Sequence, residues 1–169
     1  MFEKLFGNEK TQPRKRAALD QKPMFAPNTK IAYKPNLINV LQTEHRSLLD
    51  LFEKATMTAH AGMQQKSKAF FTEFKDKFVD HVLKENTSLY IFLQHSAKPG
   101  AAQKSISSAK HEMDLIAREI MQFLDYCIDD STEFGSEFLE RLNVVDKKLK
   151  KRIIDEESLI YPNYKKAGR

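Results

Sequence analysis

His81 and Glu85 stand four residues apart in the middle of residues 74–92, FKDKFVDHVLKENTSLYIF. An α-helix turns about 100° per residue, so Phe74, Phe78, His81, Glu85, Leu89 and Phe92 fall within roughly 80° of one another. That face is apolar apart from its two ionisable members. Buried groups of this kind are costly unless they are paired or hold a metal, and an imidazole and a carboxylate at i, i+4 can share one ion. Two further stretches aim polar groups the same way. His45 sits in the stripe Ile38, Leu41, Leu48, Leu49 and Phe52. Arg152 and Glu156 sit in the stripe Phe138, Leu142, Val145, Leu149, Leu159 and Ile160. The inward polar set is therefore His45, His81, Glu85, Arg152 and Glu156.

Four amphipathic helices must carry these residues. The first runs roughly 37–60, with Asn36 as its N-cap after Pro35 and Gly62 as its stop. The second runs from about 64 to 94 and ends before the Ser-Ala-Lys-Pro-Gly turn at 96–100. The third spans roughly 102–128 on the stripe Ile106, Ala109, Met113, Ile116, Ile120, Phe123, Leu124 and Cys127. The fourth is expected to start at a Ser131 or Thr132 cap and to stop at Tyr161-Pro162. Short connections between long helices predict an all-α, antiparallel up-down four-helix bundle. His111 does not join the inward set: it falls roughly 140–180° from Met113, Ile116 and Ile120 and reads as a surface histidine. His60 and His95 lie at helix ends and have no partner spacing.

Residues 1–35 read as a basic N-terminal arm, 36–164 as the bundle and 165–169 as a C-terminal tail. Pro13, Pro23, Pro27 and Pro35 interrupt the arm, which lacks sustained periodicity. Its eight Lys/Arg against three acids give +5, the net charge of the whole chain, so the bundle is neutral and a dedicated nucleic-acid-binding domain is not expected. Arg14, Lys15 and Arg16 are its candidate contacts for an acidic protein or an anionic surface, with Phe2, Leu5 and Phe6 as an apolar foot. The alternative is that the arm packs along the bundle or stays unstructured. Cys127 is the single cysteine and lies on an apolar face, so it reads as core and no intrachain disulfide is possible. That usage fits a reducing, cytoplasmic setting. Neither a signal-peptide core nor a membrane-spanning run is expected.

The first-helix Glu44-His45 with Leu48-Leu49, the His81-x-x-x-Glu85 with Leu89-Tyr90, and the closing RIIDEESLIYP at 152–162 resemble the hemerythrin-like (HHE cation-binding) family over about 36–164. The last stretch is similar to that family's His-Ile-x-x-Glu-Glu-x-x-Leu-Tyr/Phe-Pro ending. The resemblance implies a bundle whose helices each supply a histidine and whose two bridging carboxylates hold two irons. Members bind oxygen, sense oxygen, iron or redox state, or store iron. Here Arg152 stands where the fourth helix should supply its histidine, and Met113 where the third should. His45, His81, Glu85 and Glu156 remain as ligand-type positions.

Two readings follow from these departures. In the first, Arg152 pairs with Glu85 and Glu156, His45 and His81 hydrogen-bond to that network, and the domain has no cofactor. Its fixed cation then does the electrostatic task of a metal, and the protein is a regulatory or interaction module. In the second, iron or zinc sits on His45, His81, Glu85 and Glu156, with Arg152 swung aside, as in a non-haem sensor or store. The first is favoured because a fixed cation penalises a second one nearby. No nucleophile–base spacing or glycine-rich phosphate loop occurs, so catalysis is not expected.

Overall fold

A computed structural model describes residues 24–169. Its helices form four rods. The first is α1 (Leu37–His60). The second joins α2 (Gln64–Lys84), a π-helical turn (Glu85–Tyr90) and α3 (Ile91–Ser96). The third is α4 (Ala101–Ile128). The fourth joins α5 (Ser136–Asp155), a second π-helical turn (Glu156–Ile160) and α6 (Tyr161–Ala167). Each rod packs on the one before it and the fourth returns to the first, closing an antiparallel four-helix bundle. Gly62, with φ of +71°, ends α1 in the left-handed conformation that glycine adopts without strain.

Two apolar clusters fill the bundle. One contains Leu48, Phe52, Phe71, Phe74, Phe78, Phe123, Leu124, Phe138, Leu142 and Leu149. The other contains Ile38, Leu41, Leu89, Tyr90, Phe92, Met113, Ile160, Tyr161 and Tyr164. Each fully buried phenylalanine contributes about 1.5–3 kcal/mol of transfer free energy. The buried His45, His81, Glu85, Arg152 and Glu156 belong to neither cluster and are carried by the rods that contribute to both.

Three sequence expectations need correction, and a fourth is met only in part. The fourth helix begins at Ser136, five residues after Ser131. Ser131 instead donates to its neighbour Asp129, closing a local turn, and Phe134 stacks on Phe138 at 3.7 Å. Asn36 is the N-cap residue of α1 as expected, but its side-chain oxygen accepts from the Asn39 side chain and makes no capping hydrogen bond to the backbone. The helix does not stop at Tyr161-Pro162: Pro162 lies in the first turn of α6, which carries the rod on to Ala167. Leu159, placed on the buried stripe by α-helical spacing, is 61% exposed, because the wide π turn shifts the inward face to Ile160 and Tyr161.

Part of the arm packs on the bundle. Tyr33 stacks on Tyr164 at 4.8 Å and tilts against Phe92. The Lys34 ammonium donates to Ser88 Oγ at 2.7 Å. Arg14, Lys15 and Arg16 lie outside the described residues. Among the described residues no helix is long and apolar enough to cross a membrane.

Candidate metal centre

The two carboxylates that face each other across the core, Glu85 and Glu156, are the first residues of the two π turns. A π turn places a side chain off the regular α-helical face, and such turns are frequent at functional sites. His81 reaches the same point from the last turn of α2 and His45 from the middle of α1. All four side chains are buried. One donor atom from each of His45, His81, Glu85 and Glu156 lies within 4.8 Å of the others. The imidazole rings are 4.7 Å apart.

The two faces of this carboxylate pair have different partners. Arg152 Nη2 donates to Glu85 Oε2 at 2.7 Å and lies 2.9 Å from Glu156 Oε1, without an N–H pointing at the latter. Its Nη1 donates to the Met113 carbonyl at 2.7 Å, and the guanidinium lies over the Phe78 ring. The other two oxygens face the histidines. Glu85 Oε1 is 3.5 Å from His81 Nε2, and Glu156 Oε2 is 3.3 Å from His45 Nε2. The Tyr161 hydroxyl donates to Glu85 Oε1 at 3.0 Å and lies 3.2 Å from His45 Nε2.

Both imidazoles are braced from outside. His45 Nδ1 contacts Glu157 Oε1 at 2.8 Å, and His81 Nδ1 contacts Glu44 Oε2 at 3.0 Å. A carboxylate on Nδ1 fixes the proton there, leaving the Nε2 lone pair directed into the centre. Glu44 is itself paired with Lys84. Four carboxylates thus face two permanent cations, Arg152 and Lys84. With both imidazoles neutral the assembly carries two negative charges in excess.

Proton affinities respond to that excess. Burial alone would lower His81, but Glu85, Glu44 and Glu156 outweigh it and raise its pKa. Glu156 is raised by burial and by the charge of Glu85. Burial would raise Glu85 too, yet His81 and Arg152 hold it well below the usual carboxylate range. Glu85 also accepts hydrogen bonds from Arg152 and Tyr161, whereas neither oxygen of Glu156 has a hydrogen-bond partner. His81 Nε2 also lacks one.

The sequence-expected residues therefore meet at one place. Met113 is buried, and its carbonyl accepts from Arg152. His111, His60 and His95 are exposed. Sequence reasoning gave no role to Tyr161, Glu44 or Glu157. Glu44 and Glu157 were visible as the neighbours of His45 and Glu156, but each braces an imidazole on a different rod, which depends on register between helices.

A pair of irons held by five or so imidazoles does not fit this centre, which has two and a guanidinium. A single ion does fit: the donor set is two imidazoles and two carboxylates, and two of the buried atoms facing the histidine side, His81 Nε2 and Glu156 Oε2, have no hydrogen-bond partner. Metal bonds of about 2.0–2.2 Å put neighbouring ligands roughly 3–4 Å apart, close to the spacings described. The hemerythrin HHE cation binding domain model matches residues 36–164. No curated protein and no solved structure matches the chain. With most of its length covered by that match, the chain belongs to the hemerythrin HHE cation-binding domain family.

Proposed function

We propose that this protein is a non-haem metal-binding module of the hemerythrin type, holding a divalent cation on His45, His81, Glu85 and Glu156. One observation carries the reading: buried Nε2 and carboxylate atoms converge within 4.8 Å while Glu157 and Glu44 hold the outer nitrogens. With both imidazoles neutral and all four carboxylates ionised, a divalent cation balances the charge that Arg152 and Lys84 leave uncompensated. Bound iron would supply a redox-active centre, and bound zinc a structural one. The chain's own residues orient the imidazoles, exclude bulk water and supply a hydroxyl donor, Tyr161, to the Glu85 carboxylate. The role is binding and sensing rather than catalysis. The lone buried thiol of Cys127 suits a reducing, cytoplasmic compartment.

A second reading is supported by Arg152. Its contacts to both carboxylates offset their burial with no ion at all, and a metal-free bundle acting as a regulatory or interaction module follows from it. Elemental analysis of the natively purified chain, repeated after anaerobic ferrous reconstitution and desalting, separates the two. Retained metal that is lost in His81→Ala supports the binding module. No metal under either condition leaves the metal-free module standing.

A further inference from the structure

The carboxylate oxygens of Glu85 and Glu156 are divided. One from each, Oε2 of Glu85 and Oε1 of Glu156, is within 2.9 Å of a single guanidinium nitrogen. The remaining two face the imidazole Nε2 atoms. Two carboxylates that bridge a pair of metal ions divide their oxygens in this way, one to each ion. The structure thus has a cation on one side of the carboxylate pair and a convergent donor set on the other.

We infer that the guanidinium of Arg152 fills the second metal position of the centre, so that the chain takes one ion on the histidine side while Arg152 stays bound on the other. This rests on the metal-binding reading above and fixes its stoichiometry. Arg152 need not swing aside, because ion and guanidinium use different oxygens. Nor is it free to do so: Nη1 is held by the Met113 carbonyl, the fork lies over Phe78, and the side chain is buried. An always-charged, planar group with fixed donors suits that position, where a lysine would present a single point charge. The repulsion expected between neighbouring cations is screened by the two carboxylates between them, with Glu44 and Glu157 adding charge behind the imidazoles.

The test is metal stoichiometry of the full chain, stripped with chelator and titrated with Co(II) and with Zn(II), read by calorimetry and by elemental analysis after desalting. The expected result is one ion per chain. In Arg152→His with Met113→His, which frees the two carboxylate oxygens and adds two imidazoles, the expected result is two. Two ions in the wild type would overturn the inference while leaving the metal-binding function intact. None would overturn both. A double variant that melts cooperatively yet stays at one ion would also overturn it; should that variant fail to fold, the wild-type count decides alone.

Discussion

Replacing Arg152 by methionine removes a buried cation while nearly preserving its volume. Arg152 is 2% exposed, donates to Glu85 Oε2 and to the Met113 carbonyl at 2.7 Å each, and lies 2.9 Å from Glu156 Oε1. The variant leaves two carboxylates facing each other in the core, both without exposure to solvent. Breaking one side of such a buried pair costs about 3–5 kcal/mol. For a chain of this length each kcal/mol moves the midpoint by about 2–4 °C, so the metal-free variant should melt roughly 6–20 °C lower. Urea and thermal unfolding, followed by far-ultraviolet circular dichroism in the presence of chelator, measure the loss. A divalent cation a hundredfold above its Kd should return about 2.7 kcal/mol to either chain by mass action. Adding Glu85→Gln and Glu156→Gln should recover most of the deficit, since no buried charge then lacks its partner. A metal-free loss below about 1 kcal/mol would refute the reasoning, because it would mean that the carboxylates are solvated or protonated and never needed the guanidinium.

Three further outcomes are expected. Glu44→Gln and Glu157→Gln should each weaken Zn(II) or Co(II) binding by about 10–100-fold in calorimetry, since each removes the carboxylate that orients an imidazole. Burial raises both the Cys127 thiol and the Tyr90 phenol, from ordinary values of 9.0 and 10.0. The unfolded chain therefore loses these protons before the folded one does. Stability should be unaffected by them below pH 9 and fall above it, by up to about 1.4 kcal/mol per pH unit for each group. Denaturation midpoints between pH 7 and 11 check this, and a flat profile would contradict the burial of both. Tyr33→Ala should release the segment before α1, because its stacking on Tyr164 and its contact with Phe92 are lost. Faster protease cleavage within residues 24–35, with the bundle still folded, is the expected readout.

Much of the centre was legible because α-helical periodicity reports which side of a helix is buried. Phe74, Phe78, His81, Glu85, Leu89 and Phe92 share a face in the sequence and are all buried in the structure. The same arithmetic separates the inward Met113 from the outward His111. It fails where the period itself changes. Both π turns start at a carboxylate of the centre, and past each one the buried positions shift by about one residue, to Tyr90 beside Leu89 and to Tyr161 beside Ile160. A constant 100° step cannot represent that shift, so it misplaced Leu159; the early stop of the fourth helix came instead from reading Pro162 as a helix breaker. The adjacent apolar pairs Leu89-Tyr90 and Ile160-Tyr161 were its trace in the sequence. The bracing of His81 by Glu44 and of His45 by Glu157, and the division of carboxylate oxygens, depend on inter-helix register and side-chain rotamers, which periodicity along one helix does not encode.

An anomalous-difference map from a crystal of the zinc-loaded chain, collected at the zinc edge, tests the single-ion centre most directly. One peak beside His45 Nε2 and His81 Nε2, with Arg152 still on Glu85 Oε2 and Glu156 Oε1, is the expected result. Two peaks, or one peak with Arg152 displaced from the carboxylates, would contradict it.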